Sequence, residues 1–165
     1  MAAEIEMKVE VIDNFLSPYY FNTLQSEVMS EDFTWFYLDY TTNPGDGNNQ
    51  FTSAFYMNEL QMKYFPLIEP CLVKLNIVSQ QLKRIKANMR MQTVFHRGSG
   101  YHIDYPDMNT AIFYINTNNG YTKFKKGGKV KSIANRMVIF DSNLEHQGFT
   151  CTNEKRRIVL NFNWK

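Results

Sequence analysis

The sequence contains few cysteines, few histidines and no long apolar run, and its net charge is small. Its 165 residues include 2 cysteines and 3 histidines, and the formal net charge is +2. Cys71 and Cys151 lie far apart in different predicted elements, which argues against a disulfide framework and favours a reducing cytoplasm. Without about 20 consecutive apolar residues we expect no membrane span. The acidic residues among the first 13 positions argue against a signal peptide.

The composition nevertheless supplies a core. Hydrophobic residues make up 44% of the chain and aromatic residues 15%. Aromatic side chains pack well on pleated surfaces and therefore favour strands. We expect a single domain over residues 1–165, in which a strand and helices occupy residues 1–83 and the strands that carry the site occupy residues 84–165. The small net charge does not require nucleic acid or an anionic membrane as a partner.

The N-terminal half begins with a weakly alternating segment, residues 8–12, that we interpret as a strand. A helix is predicted from Pro18 to about residue 29, because Ser17 can cap its free N–H groups and proline suits the first helical position. Residues 33–40 are aromatic and strand-like. The polar segment 41–50 is typical of a surface loop, with a substrate lid as the alternative.

Helical spacing returns at residues 58–77, where Pro66 and Pro70 interrupt it. A second helical piece is predicted to begin at Pro66 and to bury Leu67, Leu72 and Leu75. It precedes a run of strands.

Beyond residue 83 the pattern changes to a period of two. Ala87 and Met89 fall on one face of the first strand, and Asn88 and Arg90 fall on the other. Further short strands are predicted at residues 110–116, 121–124, 137–141 and 157–164. This spacing predicts an antiparallel β-sandwich or barrel with two helices packed in front. A polar strand face that points inward would line a wet cavity.

Three residues could together bind a metal ion. On a strand, His102 and Asp104 of the triplet His-Ile-Asp would project to the same side, and His146 follows a later strand and a short turn. Two imidazoles and one carboxylate occupy one face of an octahedral ion and leave positions open for a co-substrate and O₂, which suits Fe(II). Zinc is a chemical alternative. We interpret His96 as a strand-end residue and not as a fourth ligand.

The last strand presents an arginine to the same interior. By alternation Arg157 and Asn161 lie on its polar face, whereas Arg156 lies on its apolar face. A guanidinium on the polar face can bind a carboxylate through two hydrogen bonds. A dicarboxylate could therefore bind the metal at one end and Arg157 at the other. If the spacing after the distal histidine is taken one residue shorter, Arg156 would bind the carboxylate in place of Arg157. Strand alternation favours Arg157.

These motifs together resemble the 2-oxoglutarate/Fe(II)-dependent dioxygenase superfamily, and most of all its small prolyl-4-hydroxylase-like branch of phage and bacterial type. The resemblance covers residues ~84–164. It rests on the H-x-D triplet, the distal histidine and the following arginine, with three further segments between them. Those segments are Tyr114-Ile-Asn116, Gly120-Tyr-Thr122-Lys-Phe124 and Asn135-Arg136.

The resemblance implies a mainly β protein with N-terminal helices and a double-stranded β-helix (jelly-roll) core. It implies Fe(II), 2-oxoglutarate as co-substrate and O₂, and a reaction that hydroxylates a C–H bond while 2-oxoglutarate is converted to succinate and CO₂. The implied iron ligands and catalytic residues are His102, Asp104 and His146. The implied co-substrate residues are Arg157 and Tyr114, to which we add Thr122 and Asn161.

Two positions depart from the family pattern. Tyr121 replaces the second glycine of the G-G-x-T segment, and the usual tyrosine is missing near residues 92–95. Gln92 or Arg90 could replace that tyrosine as a polar contact.

The prime substrate is less defined than the reaction. A prolyl or other residue of a peptide or protein is our first expectation, by analogy with the branch, and free amino acids or small metabolites stay open. A nucleic-acid repair dioxygenase is the alternative. Its relatives carry a second arginine where this chain has Asn163, which counts against it, whereas the lysine-rich segment 123–131 counts slightly for it. A third reading is a non-catalytic metal- or ligand-binding jelly roll. We expect a cytoplasmic protein, in the host cytoplasm if it is of phage origin.

Overall fold

The computed structural model of this protein describes residues 9–165, which form two antiparallel sheets facing each other. Their strands are β1 (Glu10–Ile12), β2 (Phe36–Leu38), β3 (Gln50–Met57), β4 (Leu60–Gln61), β5 (Leu82–Met91), β6 (Asn109–Tyr114), β7 (Tyr121–Phe124), β8 (Lys129–Lys131), β9 (Arg136–Asp141), β10 (His146–Phe149) and β11 (Arg156–Trp164). The larger sheet has the order β1-β9-β6-β11-β5-β3-β2, with β4 paired to β3, and the smaller sheet has the order β10-β7-β8. This is the mainly β jelly roll that the sequence predicts.

The helices lie on the outer side of the larger sheet. Helix α1 spans Pro18–Met29 and α2 spans Glu69–Leu75, which follows a 3-10 turn at Phe65–Ile68. Pro18 occupies the first turn of α1 as predicted, but the side chain of Ser17 makes no capping hydrogen bond. Its carbonyl oxygen instead accepts a hydrogen bond from Phe21 N at 3.0 Å. The predicted side-chain cap is therefore wrong, although the helix bounds are confirmed.

The main core lies between these helices and the larger sheet. Alternate residues of the two central strands point into it, namely Ile85, Ala87, Met89, Ile158, Leu160 and Phe162. Phe21, Leu24 and Val28 of α1 pack against this face, together with Ile68 and Leu72. Period-two alternation in the sequence thus identified the buried face of both strands.

The opposite face of the larger sheet points toward the smaller sheet. A second apolar cluster closes one end of this space, and it consists of Ile112, Tyr114, Phe124, Val138, Phe140, Leu144 and Val159. The other end is polar and forms a cavity of about 490 Å³. The prediction that a polar strand face points inward and lines a cavity is therefore also confirmed.

Some strands were not predicted. Residues 51–57 of β3 have no clean alternation, because buried positions occur on both faces of this strand. The short strand β10 contains polar residues and a glycine, which have low strand propensity, and it exists because β7 pairs with it. Strand β1 confirms part of the predicted 8–12 segment. Residue 8 lies outside the described residues, and so does most of the N-terminal segment to which the signal-peptide expectation refers. No helix in the described range is both long and apolar enough to cross a bilayer.

Candidate metal centre and adjoining cavity

Two histidines meet because the chain before Asp104 runs antiparallel to β10. His102 N donates to His146 O at 3.0 Å, and His146 N donates to His102 O at 3.0 Å. Such a reciprocal pair places the two side chains next to each other, and the ring centroids are 4.7 Å apart. His102 forms an isolated bridge with His146, and the H-x-D triplet does not lie on a regular strand, contrary to the prediction from the sequence.

The three predicted metal ligands converge in one place. His102, Asp104 and His146 each contribute a possible ligand atom, and these atoms lie within 4.8 Å of one another. The distance from His102 Nε2 to Asp104 Oδ1 is 3.8 Å. His96 is separate from this group, because its Nδ1 lies 2.6 Å from Thr150 O and its ring packs edge-on against Tyr121.

Backbone carbonyls set the tautomer of both imidazoles. Nδ1 of His102 lies 3.0 Å from Gly100 O, and Nδ1 of His146 lies 3.1 Å from Leu144 O. Because a carbonyl oxygen only accepts hydrogen bonds, each Nδ1 carries the proton and each Nε2 keeps its lone pair for a metal. Burial lowers the pKa of His146, which favours the neutral form that binds metal ions.

The carboxylate of Asp104 is held by two amides. Nδ2 of Asn161 donates to Asp104 Oδ2 at 2.9 Å, and Nδ2 of Asn163 donates to the same oxygen at 3.2 Å. Arg84 Nη2 lies 3.4 Å from Asp104 Oδ1. Burial alone would raise the pKa of Asp104, but the charge of Arg84 helps to hold it below its ordinary value. The ligand is therefore an oriented anion.

These supporting contacts were not predicted from the sequence. Asn161 was predicted to contact the co-substrate, and Arg84 and Asn163 had no predicted role in the metal centre. Strand alternation placed both asparagines on the cavity face, which was the available signal. It could not show that they reach a residue on a different segment of the chain.

Arg157 lies deep in the same cavity, with 4% of its surface exposed. Its Nε donates to Ser132 Oγ at 2.9 Å, and Nη2 donates to Thr122 Oγ1 at 3.2 Å. Its guanidinium carbon lies 5.5 Å from the centre of the Tyr114 ring, and Tyr114 Oη donates to Thr122 Oγ1 at 2.8 Å. Three of the predicted co-substrate residues therefore contact one another.

Arg156 points to the other side of the sheet. Its Nη2 donates to Met29 O at the end of α1, at a distance of 2.7 Å. Gln92, one possible replacement for the missing tyrosine, is exposed and donates to Thr152 O. Arg90 does line the cavity. Tyr121 is the other departure from the family pattern, and its ring stacks on that of Phe149 with centroids 4.5 Å apart. Tyr121 does not line the cavity, so this larger side chain does not reduce the space inside it.

The polar loop after β2 forms part of the cavity wall. The Asp46 carboxylate accepts hydrogen bonds from the backbone N–H groups of Thr41 at 3.0 Å, Thr42 at 2.8 Å and Asn48 at 2.9 Å. Thr42 Oγ1 donates to Ser99 O at 2.9 Å, which ties the loop to the segment before His102. Thr41 and Thr42 both line the cavity. The loop is thus more than a surface connection.

The donor set and its surroundings fit a metal ion and a polar ligand. Two nitrogen ligands and one oxygen ligand suit Fe(II), and zinc remains chemically possible. Several buried polar atoms of the cavity have no hydrogen-bond partner within residues 9–165, namely Arg84 Nε, Asn88 Oδ1, Arg90 Nε and Asn161 Oδ1. Buried polar atoms are normally satisfied, so these atoms indicate a site for a ligand or ordered water.

Comparison with known proteins identifies the fold. No protein-family model matches the chain, and no curated protein sequence matches it. Among solved structures, a prolyl-4-hydroxylase from Pseudomonas putida is similar with a TM-score of 0.63 and 12% identity, over 97% of this chain and 93% of that one. A prolyl hydroxylase from Trichoplax adhaerens, solved with a peptide fragment of the hypoxia-inducible-factor oxygen degradation domain, has a TM-score of 0.63 and 13% identity, over 94% and 83% of the two chains.

A third similar structure is that of an enzyme with a different reaction. The non-haem α-ketoglutarate-dependent epimerase SnoN from nogalamycin biosynthesis has a TM-score of 0.67 and 8% identity, over 96% of this chain and 78% of that one. The chain therefore has the jelly-roll fold of the 2-oxoglutarate/Fe(II) oxygenases, prolyl-4-hydroxylases included, and it has the H-x-D and distal histidine cluster in place. Identities this low show the fold, and the reaction has to be inferred from the site.

Proposed function

We propose that this protein is an Fe(II) oxygenase that uses 2-oxoglutarate and O₂ to hydroxylate a C–H bond. One observation supports this above all. An oriented cluster of two imidazoles and one carboxylate shares a cavity with a deeply buried arginine. Burying that guanidinium is unfavourable unless an anion or several acceptors compensate it. A metal ion and a dicarboxylate would together match both parts of the cavity.

His102 Nε2, His146 Nε2 and Asp104 would hold the iron. Bound there together with 2-oxoglutarate and O₂, Fe(II) would supply the oxidising chemistry. Oδ1 is the more available carboxylate oxygen, because two amides already occupy Oδ2. The chain's own contribution is to hold both imidazoles through Nδ1, with Nε2 left for the metal, and to keep the carboxylate ionised and correctly turned.

Arg157 would bind the distal carboxylate of 2-oxoglutarate. Its Nε and Nη2 are engaged by Ser132 and Thr122, which fixes the plane of the guanidinium. Nη1 faces the backbone of Gly148, where a Cβ atom would lie only 3.3 Å away. The glycine thus leaves room on that side. Tyr114 and Thr122 hold the arginine from one side, and Thr122, which lines the cavity, can add a hydrogen bond to the same carboxylate.

For the prime substrate we propose a residue of a peptide or protein, proline first. The support is analogy with the two prolyl hydroxylases of the same fold, one of which was solved with a peptide. The nucleic-acid alternative loses support at Asn163. This side chain donates to Asp104 and to Thr110 Oγ1, so the position has a role in the metal centre. In the lysine-rich hairpin, Lys125 is paired with Glu145.

Anaerobic spectroscopy tests the proposal. Fe(II) followed by 2-oxoglutarate should produce a weak metal-to-ligand charge-transfer band in the visible region if the co-substrate binds at the iron. His146→Ala should abolish the band. Arg157→Met should weaken 2-oxoglutarate binding by about 10- to 100-fold, the value of one or more charge-assisted hydrogen bonds.

Arg156→Met is the matched control, because it removes the neighbouring arginine from the opposite face of β11. It should bind 2-oxoglutarate as the unmodified protein does. Iron binding without a band would contradict the co-substrate assignment, and failure to bind iron would contradict the metal centre.

A further inference from the structure

The side chains that line the cavity carry more positive charge than a metal ion and 2-oxoglutarate would neutralise. Among the described residues that line it, Arg84, Lys86, Arg90 and Arg157 are cationic and Asp104 is the acidic one. A divalent metal ion and doubly charged 2-oxoglutarate would cancel each other. A positive excess would then remain in a partly enclosed space, where charges interact more strongly than in bulk water.

The arginines already have partners within the protein. Arg90 donates to the carbonyl oxygens of Arg97 at 3.0 Å and Gly148 at 3.1 Å. Arg84 donates to Asn163 Oδ1 at 3.0 Å and lies beside Asp104. These guanidinium groups therefore brace the walls of the cavity.

Lys86 differs from them. In residues 9–165 its ammonium makes no hydrogen bond and no ion pair, and its environment consists of burial together with the more distant charges of Arg84 and Asp104. Burial lowers the pKa of Lys86 to about 8, so the side chain remains mostly protonated at neutral pH. Burial weakens the hydration of this ammonium, and an anion in the cavity would give it the acceptor that the described residues do not supply.

The sheet register locates this ammonium. Lys86 lies directly across from Asn161, and Asn161 binds the metal-ligand carboxylate of Asp104. Arg157 lies on the same strand four residues before Asn161, opposite Arg90. Four residues of a strand span about 13 Å. Lys86 is thus at the metal end of the cavity, away from the arginine proposed for the distal carboxylate. The loop residues Thr41 and Thr42 line the same cavity.

We propose that Lys86 binds a carboxylate of the prime substrate, close to the C–H bond that is oxidised. The proposal rests on the proposed function and adds the substrate class, an acid. The carboxylate could belong to a small molecule or to an acidic residue in a peptide, and both would present the same group to the ammonium. Asn88 Oδ1 and Asn161 Oδ1, which have no partner in the described chain, are available to N–H groups of such a substrate.

Binding without turnover tests this directly. Protein loaded with Zn(II) and saturating 2-oxoglutarate is titrated calorimetrically with N-acetylglycine, N-acetylproline and N-acetylphenylalanine, each against its neutral amide. At least one acid should bind about tenfold more tightly than its amide, the size of one charge-assisted hydrogen bond. Proline peptides with aspartate or asparagine next to the proline form a second series, which separates an acidic peptide from a small acid.

Lys86→Met should remove the preference for the acid without weakening 2-oxoglutarate affinity and without lowering the thermal midpoint. Lys86→Arg should restore part of it. The matched control is Lys83→Met, which removes the same charge from an exposed position of β5. No preference for acids in either series, or a preference that survives in Lys86→Met, would overturn the proposal. Loss of 2-oxoglutarate affinity in Lys86→Met would also overturn it, because the lysine would then serve the co-substrate.

The two proposals fail in different ways. If the proposed function is wrong, the charge-transfer band does not form and 2-oxoglutarate does not bind. The same acid and amide titrations on metal-free protein then still test anion binding at Lys86. If the band forms and the titrations show no difference, the oxygenase assignment stands and the acidic substrate is rejected.

Discussion

A methyl group added at Gly120 would test the packing around Arg157. The added Cβ of Gly120→Ala would lie 2.7 Å from Arg157 Cδ, 2.8 Å from Asn118 Oδ1 and 2.8 Å from Phe149 O. Carbon atoms in contact need about 3.5–4.0 Å. The carbonyl belongs to β10, which is paired with β7, and it cannot move away freely. The side chains of Arg157 and Asn118 are therefore the groups that must shift.

The expected size follows from similar overpacked sites. Adding a methyl group to a filled interior typically costs about 1–3 kcal/mol. For a domain of this length each 1 kcal/mol lowers the thermal midpoint by roughly 2–4 °C, so a decrease of about 2–12 °C is expected. Because the shift displaces the arginine proposed to bind 2-oxoglutarate, the affinity for 2-oxoglutarate should also fall.

Gly128→Ala is the matched control, since it makes the same chemical change in the exposed β7–β8 turn. No atom lies within 4 Å of its added Cβ. Its stability should stay within about 0.5 kcal/mol of the starting protein, as for most surface substitutions. Thermal unfolding followed by circular dichroism, with 2-oxoglutarate titrations, measures both effects. Equal midpoints and equal affinities for the two variants would refute the close packing around Arg157.

Two further predictions concern the metal centre and the loop. Asn161→Ala should weaken metal affinity by about 10- to 100-fold, as is usual when a partner of a ligand is removed, and metal competition measures it; unchanged affinity would show that Asn163 alone orients Asp104. For Asp46, burial opposes ionisation, but backbone N–H groups outweigh it and hold its pKa well below the ordinary value. Its contribution to stability should therefore be present above about pH 4 and decrease as the pH falls further, and Asp46→Asn should lose that part of the acid dependence in unfolding titrations.

The support around Asp104 explains why this carboxylate is suited to a metal. Its two oxygens have different surroundings, because the amides of Asn161 and Asn163 bind Oδ2, whereas Oδ1 faces Arg84 and His102. Arg84 compensates the buried negative charge before a metal ion does so. The protein can thus keep an ionised ligand in a buried site without a large cost in stability.

Local sequence pattern was enough to determine the strand faces. The alternation in β5 and β11 separated the core side from the cavity side, and it distinguished Arg157 from Arg156, because consecutive side chains of a strand point to opposite faces. The geometry of both arginines agrees with that assignment. The H-x-D triplet and the distal histidine were likewise found from residue type and order alone, and the three side chains do converge.

Long-range pairing decided the rest. β10 and the bridge between His102 and His146 depend on neighbours that are distant in sequence, and neither segment has a strand-like pattern of its own. The bond from Asn161 to Asp104 joins residues 57 positions apart. The confinement of Gly120 and the isolation of Lys86 are properties of the space between the sheets. Alternation shows toward which face a side chain points, whereas its partners across that space exist only once both sheets have formed.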